Sequence, residues 1–218
     1  MTKIADNFDF WSNYMTFNSP DEFYFVQILV RGKDGHLGEK YINGNNKNRL
    51  IKFYTITDKE MLLAKRDEIT RICDLMNARA YIHPTKRSFT AVATKQLQET
   101  VEMFTSKNFM GMRGAFSTAA GKSYITKDKT YVLDVDEFET GEKDCEGFTN
   151  LDRLINYLNC EVRPYNTYKV KGIVPTVHGF HILTIPFDTV VFNEKYPEIG
   201  VKKNNPSLLY YKTPSYEE

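Results

Sequence analysis

A chain of 218 residues that is 41% hydrophobic and 26% charged, with 15 Phe and 14 Tyr, can bury a sizeable core, which excludes a disordered protein. Its formal net charge of +1 excludes a globally basic nucleic-acid binder, so any phosphate-binding surface would be a local patch. Cys73, Cys145 and Cys160 are an odd number without Cys-x-x-Cys spacing, which argues against both a disulfide framework and a cysteine zinc site.

Along the chain, Phe23 to Arg31 is β-rich and predicts a strand, and Gly32 to Asn48, with Gly, Asn, Asp and Lys throughout, predicts a loop. Arg49 to Ile56 predicts a second strand. Thr57, with Glu60 three positions on, has capping-box spacing, and Met61, Leu62, Ile69, Ile72, Cys73 and Met76 keep a helical period up to Asn77. Ala78 to His83 predicts a strand that Pro84 stops. Thr90 to Phe104, with Val92, Ala93, Leu97, Val101 and Phe104 on one face, predicts a helix packed on these strands. A glycine-rich connection from Gly111 to Gly121 leads to an apolar strand, Tyr131 to Asp136, and an acidic loop from Glu137 to Glu146. Leu151, Leu154, Ile155 and Leu158 mark a short amphipathic helix, followed by strands near Tyr168 to Val174 and His181 to Ile185. After Pro186 the pattern weakens, and Asn204-Asn205-Pro206 reads as a turn before a last strand at Leu208 to Tyr211. The expected architecture is one α+β domain over 1–218, made of an N-terminal β-α unit (about 1–110) and a second unit (122–218) joined by the glycine-rich connection.

The strand Tyr-Val-Leu-Asp-Val-Asp at 131–136 ends in carboxylates at alternate positions. Side chains two apart on a strand share a face, so Asp134 and Asp136 project together. Two ionised carboxylates about 5 Å apart repel by roughly 3 kcal/mol at an effective dielectric near 20, which a divalent cation relieves. A solvated turn is the other reading of such an acidic strand end. Gly121-Lys122-Ser123 is not a P-loop, because the glycine required five positions before Gly121 is Phe116. Arg113, Lys122 and Ser123 remain able to meet a phosphate without that motif. In the stretch from Pro175 to Asp188, Gly179 permits a bend or a close backbone approach, and His181 opens an alternating strand with its imidazole at the strand's mouth. His178 and His181 with no nearby cysteine are a weak zinc signal, and a strand histidine also suits a structural role. Basic clusters occur at Lys86 with Arg87, at Lys122, Lys127 and Lys129, and at Lys169, Lys171, Lys202 and Lys203, each of which also fits a solvated face.

An apolar strand ending in Asp-x-Asp, then a short helix, then Gly-x-His at the start of a strand resembles the archaeo-eukaryotic primase superfamily, which includes the primase-polymerases of plasmids and phages. Asp134 and Asp136 match its first motif, Thr176, Gly179 and His181 its second, and Ala80 to Arg87 is similar to the extended strand and basic turn of its N-terminal half. The resemblance implies a primase-like two-unit fold with an RRM-like C-terminal unit. It further implies that Asp134 and Asp136 bind catalytic Mg²⁺ or Mn²⁺ and that His181 contacts the phosphates of an incoming nucleoside triphosphate. The candidates for the family's third acid are Asp188, Glu194 and Glu198, none in a convincing strand, with Asp188 preferred, and the expected nucleotide-binding set is His181, Thr176, Gly179, Lys122, Arg87 and Arg113. The implied partners are nucleoside triphosphates, a single-stranded DNA or RNA template and separate replication proteins, since no zinc module or helicase is visible. No segment is apolar enough to span a bilayer, and the N-terminus lacks a signal-peptide pattern, so no membrane is expected and the expected location is the cytoplasm, that of a bacterial host for a phage protein. Three other functions fit the same residues: a catalytically inactive nucleotide- or nucleic-acid-binding module, a metal-dependent nuclease, and a structural protein with an aromatic partner surface.

Overall fold

The computed structural model describes residues 2–32, 48–136 and 149–214, and they form an α+β protein. The chain divides into two compact units, Met1–Lys129 with Leu208–Glu218, and Thr130–Ser207. Residues 33–47 of the loop expected from Gly32 to Asn48, the acidic run from Glu137 to Glu146 and Cys145 lie outside the described residues.

A six-stranded sheet organises the first unit. Its order is β1 (Ile4–Asp6), β10 (Ser207–Lys212), β4 (Arg79–Ile82), β2 (Glu22–Arg31) and β3 (Asn48–Ile56), with β5 (Arg87–Ser88) paired to the start of β2. As a central strand, β2 is apolar on both faces, and Phe23, Tyr24, Phe25, Val26 and Ile28 are all buried. Sequence grouping expects the last strand in the unit over 122–218, whereas β10 pairs with β1, Ile4 lying opposite Lys212. Helix α1 (Phe8–Tyr14) reinforces that pairing, because the buried Trp11 donates its indole N–H to the Leu208 carbonyl at 3.0 Å. Contacts between chain ends about two hundred residues apart leave no local periodicity to read.

The helix expected after β3 starts one residue late and is interrupted. Asp58, not Thr57, caps it, accepting from the Met61 amide at 2.6 Å, and the chain turns at Lys65 between α2 (Lys59–Ala64) and α3 (Arg66–Met76). Asn77 ends α3 in the left-handed region at φ 45°, which asparagine tolerates. Helix α4 (Phe89–Thr105) lies where the periodicity predicts, but of the large apolar residues expected on its packed face only Val92 is buried. Leu97, Val101 and Phe104 are 69%, 61% and 62% exposed, and the covered side carries Val92 and Glu99. That side meets α5 (Ala115–Lys122), whose Ala119 and Ala120 join Phe23, Phe25 and Val92 in one cluster. The glycine-rich connection is therefore ordered as a 3₁₀ turn at Gly111–Gly114 followed by α5.

In the second unit the order is β6 (Tyr131–Asp136), α6 (Asn150–Cys160), β7 (Val170–Pro175), β8 (Gly179–Thr184), α7 (Thr189–Lys195) and β9 (Gly200–Lys202). The strands lie β7-β8-β6-β9, all neighbours antiparallel, as in a split βαβ arrangement. Strand alternation sends Tyr131, Leu133 and Val135 of β6 and Phe180 and Ile182 of β8 into a core with Leu154 and Leu158 of α6 and Phe192 of α7. Thr149 and Asp152 form a capping box at the start of α6. Helix α7 was not expected after Pro186, because seven residues are too few to show a helical period. Among the described residues, no helix is long and apolar enough to cross a membrane.

Candidate functional site

The opposite face of β6 carries Asp134 and Asp136. Asp134 lies directly across from His181 on β8 and from Gly200 on β9, and Asp136 lies across from Gly179. The His181 Nε2 is 3.3 Å from Asp134 Oδ1, and its Nδ1 is 2.8 Å from the Ser207 hydroxyl. The ring thus stands beside the Asp134 carboxylate on one edge and shares a hydrogen bond with the Ser207 hydroxyl on the other. The imidazole side chain is 14% exposed and the Asp134 side chain 41%, so the ring is the more buried of the two. Asp136, at the strand's end, is exposed.

Thr176 and Gly179 build the turn that presents His181. The Thr176 amide donates to the Gly179 carbonyl at 2.9 Å, and a Cβ on Gly179 would sit 2.0 Å from the Val135 carbonyl oxygen. Only a residue without a side chain lets β8 approach β6 closely enough to set His181 opposite Asp134. Ser207, unassigned from sequence, lies 26 residues from His181, and no local signal links them.

Two carboxylates on one strand face are hard oxygen donors of the kind that hold Mg²⁺ or Mn²⁺ together with substrate phosphates, so the chemistry of the pair fits such an ion. Among the described residues, no three His, Cys, Asp or Glu side chains form a group suited to a metal. The residue chosen from sequence as third acid, Asp188, serves as the N-cap of α7, its Oδ1 accepting from the Val190 amide at 3.0 Å. Asp188→Ala is expected to lower stability by about 1 kcal/mol through loss of the cap. Divalent-metal affinity should be unchanged in that variant; a matching loss of metal binding by calorimetry would restore Asp188 to the metal site.

Of the basic residues assigned to phosphate in the first unit, Arg87 and Lys122 have other partners, as does Lys86 beside Arg87. Arg87 is fully buried and donates to the Ala120 carbonyl at 2.7 Å, the Thr85 carbonyl at 2.6 Å and His83 Nδ1 at 2.8 Å. Burial pulls its guanidinium down to about 10. Burial, helped by Arg87, also holds the His83 imidazole well below its usual range. Lys86 is buried between Glu22 at 2.8 Å and Asp128 at 3.2 Å. Lys122, at the end of α5, pairs with Glu99 at 2.7 Å and holds that carboxylate below its usual range. Arg113 is exposed on the 3₁₀ turn. A sequence displays charge but not burial, which is why Arg87 reads as a ligand-binding residue when it is a framework one. Lys169 repeats the lesson in the second unit: it is fully buried and donates to the Asn159 and Thr167 carbonyls.

Comparison with protein-family models, with curated proteins and with solved structures finds no match for this chain.

Proposed function

We propose that the chain is a primase-like nucleotidyltransferase that uses Mg²⁺ or Mn²⁺ and nucleoside triphosphates on a single-stranded template. The observation that carries this reading is the cross-strand pairing of Asp134 with His181, with Asp136 two positions along the same open face. Support also comes from the second unit's β-α-β-β-α-β element order and β7-β8-β6-β9 strand order, which an RRM-like unit would share. Asp134 and Asp136 would hold the divalent ion, which when bound supplies positive charge to phosphate oxygens as the bond to the leaving group breaks. The His181 imidazole stands 3.3 Å from the Asp134 carboxylate and is held there by its hydrogen bond with Ser207, so it would be a donor already set beside the bound phosphates. Preorganised donors of this kind need no rearrangement as charge develops, which is where they assist phosphoryl transfer.

A second reading, a non-catalytic nucleotide- or nucleic-acid-binding module on the same face, is favoured by one observation: the Asp188 carboxylate is engaged as a helix cap, and no third acid joins the pair among the described residues. One assay separates the two. Purified protein with Mn²⁺, single-stranded template and labelled nucleotides is expected to give extended products, and Asp134→Ala is expected to lower their rate about a hundredfold or more. Products unaffected by Asp134→Ala would end the enzyme reading at this site. Absence of products, with nucleotide binding that His181→Ala abolishes, would establish the binding module instead.

A further inference from the structure

Strand β9 flanks β6 on the side away from His181, and its residue facing Asp134 is Gly200. Lys202 stands two positions on, opposite Val132, and therefore on the same sheet face as Asp134. Its long side chain folds back over Gly200. A Cβ built there would lie 3.2 Å from Lys202 Nζ and 3.3 Å from its Cε, and 3.8 Å from the Asp134 Cβ. The missing side chain at Gly200 thus leaves the space that the Lys202 ammonium fills, over the residue that pairs with Asp134 across the strands. Lys202 makes no ion pair among the described residues, so its charge is not neutralised there. Lys203 differs: its ammonium lies over the Tyr131 ring, 5.9 Å from the centroid, and Tyr131 belongs to the opposite, helix-covered face.

We propose that Lys202 is the cation that receives the polyphosphate of a nucleoside triphosphate on this face. This rests on the nucleotidyltransferase reading of Asp134 and Asp136 and adds to it the group that distinguishes a triphosphate from a monophosphate. An acid pair that binds a metal–phosphate complex presents net negative charge to an anionic ligand. A flanking ammonium offsets that repulsion and contributes a charge-assisted hydrogen bond to a phosphate oxygen.

The test measures affinity for ATP and for AMP, each with Mn²⁺ and with chelator, on the full chain. Lys202→Met is expected to weaken ATP about tenfold or more, the effect of losing a hydrogen bond to a charged group, and to leave AMP nearly unchanged. Lys203→Met removes the same charge one residue away and should leave ATP affinity nearly unchanged at physiological salt. Equal weakening by the two variants would reduce Lys202 to a contributor of general charge and overturn the proposal. So would ATP binding that Lys202→Met leaves intact and Asp134→Ala abolishes, an outcome that spares the nucleotide site itself. A wild-type chain that binds neither nucleotide would overturn both. Because Lys202 is exposed, its replacement should leave the melting temperature unchanged, and that measurement accompanies each variant.

Discussion

Gly179→Ala is expected to destabilise the protein by about 3 kcal/mol or more, among the largest effects available from adding a single methyl group. The added carbon would stand 2.0 Å from the Val135 carbonyl oxygen and 3.1 Å from the Asp136 Cα, both backbone atoms of β6 that no rotamer change can move. The strands would have to part where Asp136 lies opposite Gly179, and that movement carries His181 away from Asp134. Urea unfolding reads the loss as a fall in midpoint. Any folded fraction should also bind nucleotide poorly, since the same displacement separates the imidazole from the carboxylate. A variant with wild-type stability and affinity would mean that β8 needs no such close approach.

Arg87→Met is expected to cost about 3–5 kcal/mol, because the change strips the donors from the Ala120 and Thr85 carbonyls and from His83 Nδ1 inside a buried site. Nucleotide affinity per folded molecule should be unaltered. A stable variant with weakened triphosphate binding would return Arg87 to the phosphate-binding role that its place in Thr85-Lys86-Arg87 suggests. The same cluster sets a sign for pH dependence. His83 in the folded chain has its pKa depressed, chiefly by burial, so it stays neutral while an unfolded histidine begins to take up a proton near pH 6.5. The stability it contributes is complete above that pH and declines as pH falls below it, by up to about 1.4 kcal/mol per pH unit. Unfolding curves collected from pH 7.5 to 5.5 test the direction, and a profile flat across that window would place the His83 ring in contact with water.

What the sequence determined by itself were features written in nearest-neighbour chemistry. The alternation of Tyr131 to Asp136 is enough to set two carboxylates on one face of β6, the spacing of Leu151, Leu154 and Leu158 is enough for α6, and Gly179 before His181 is enough for a tight backbone approach. Each depends on a period of 2 or 3.6 residues or on a missing Cβ, and none requires knowledge of a distant segment. Tertiary structure decided the rest. Leu97, Val101 and Phe104 share the period of a buried stripe, yet α5 lies along another side of α4. Asp188 has the chemistry of a metal ligand but stands where a short helix begins and is consumed as its cap. Ser207 reaches His181, and β10 reaches β1, across separations at which local pattern carries no information. Arg87, Lys122 and Lys202 are equally cationic as letters. Burial under three acceptors, a salt bridge to Glu99 and the space above Gly200 give them different chemistry, because a charge acts through its solvation and its neighbours, and only the folded chain supplies those.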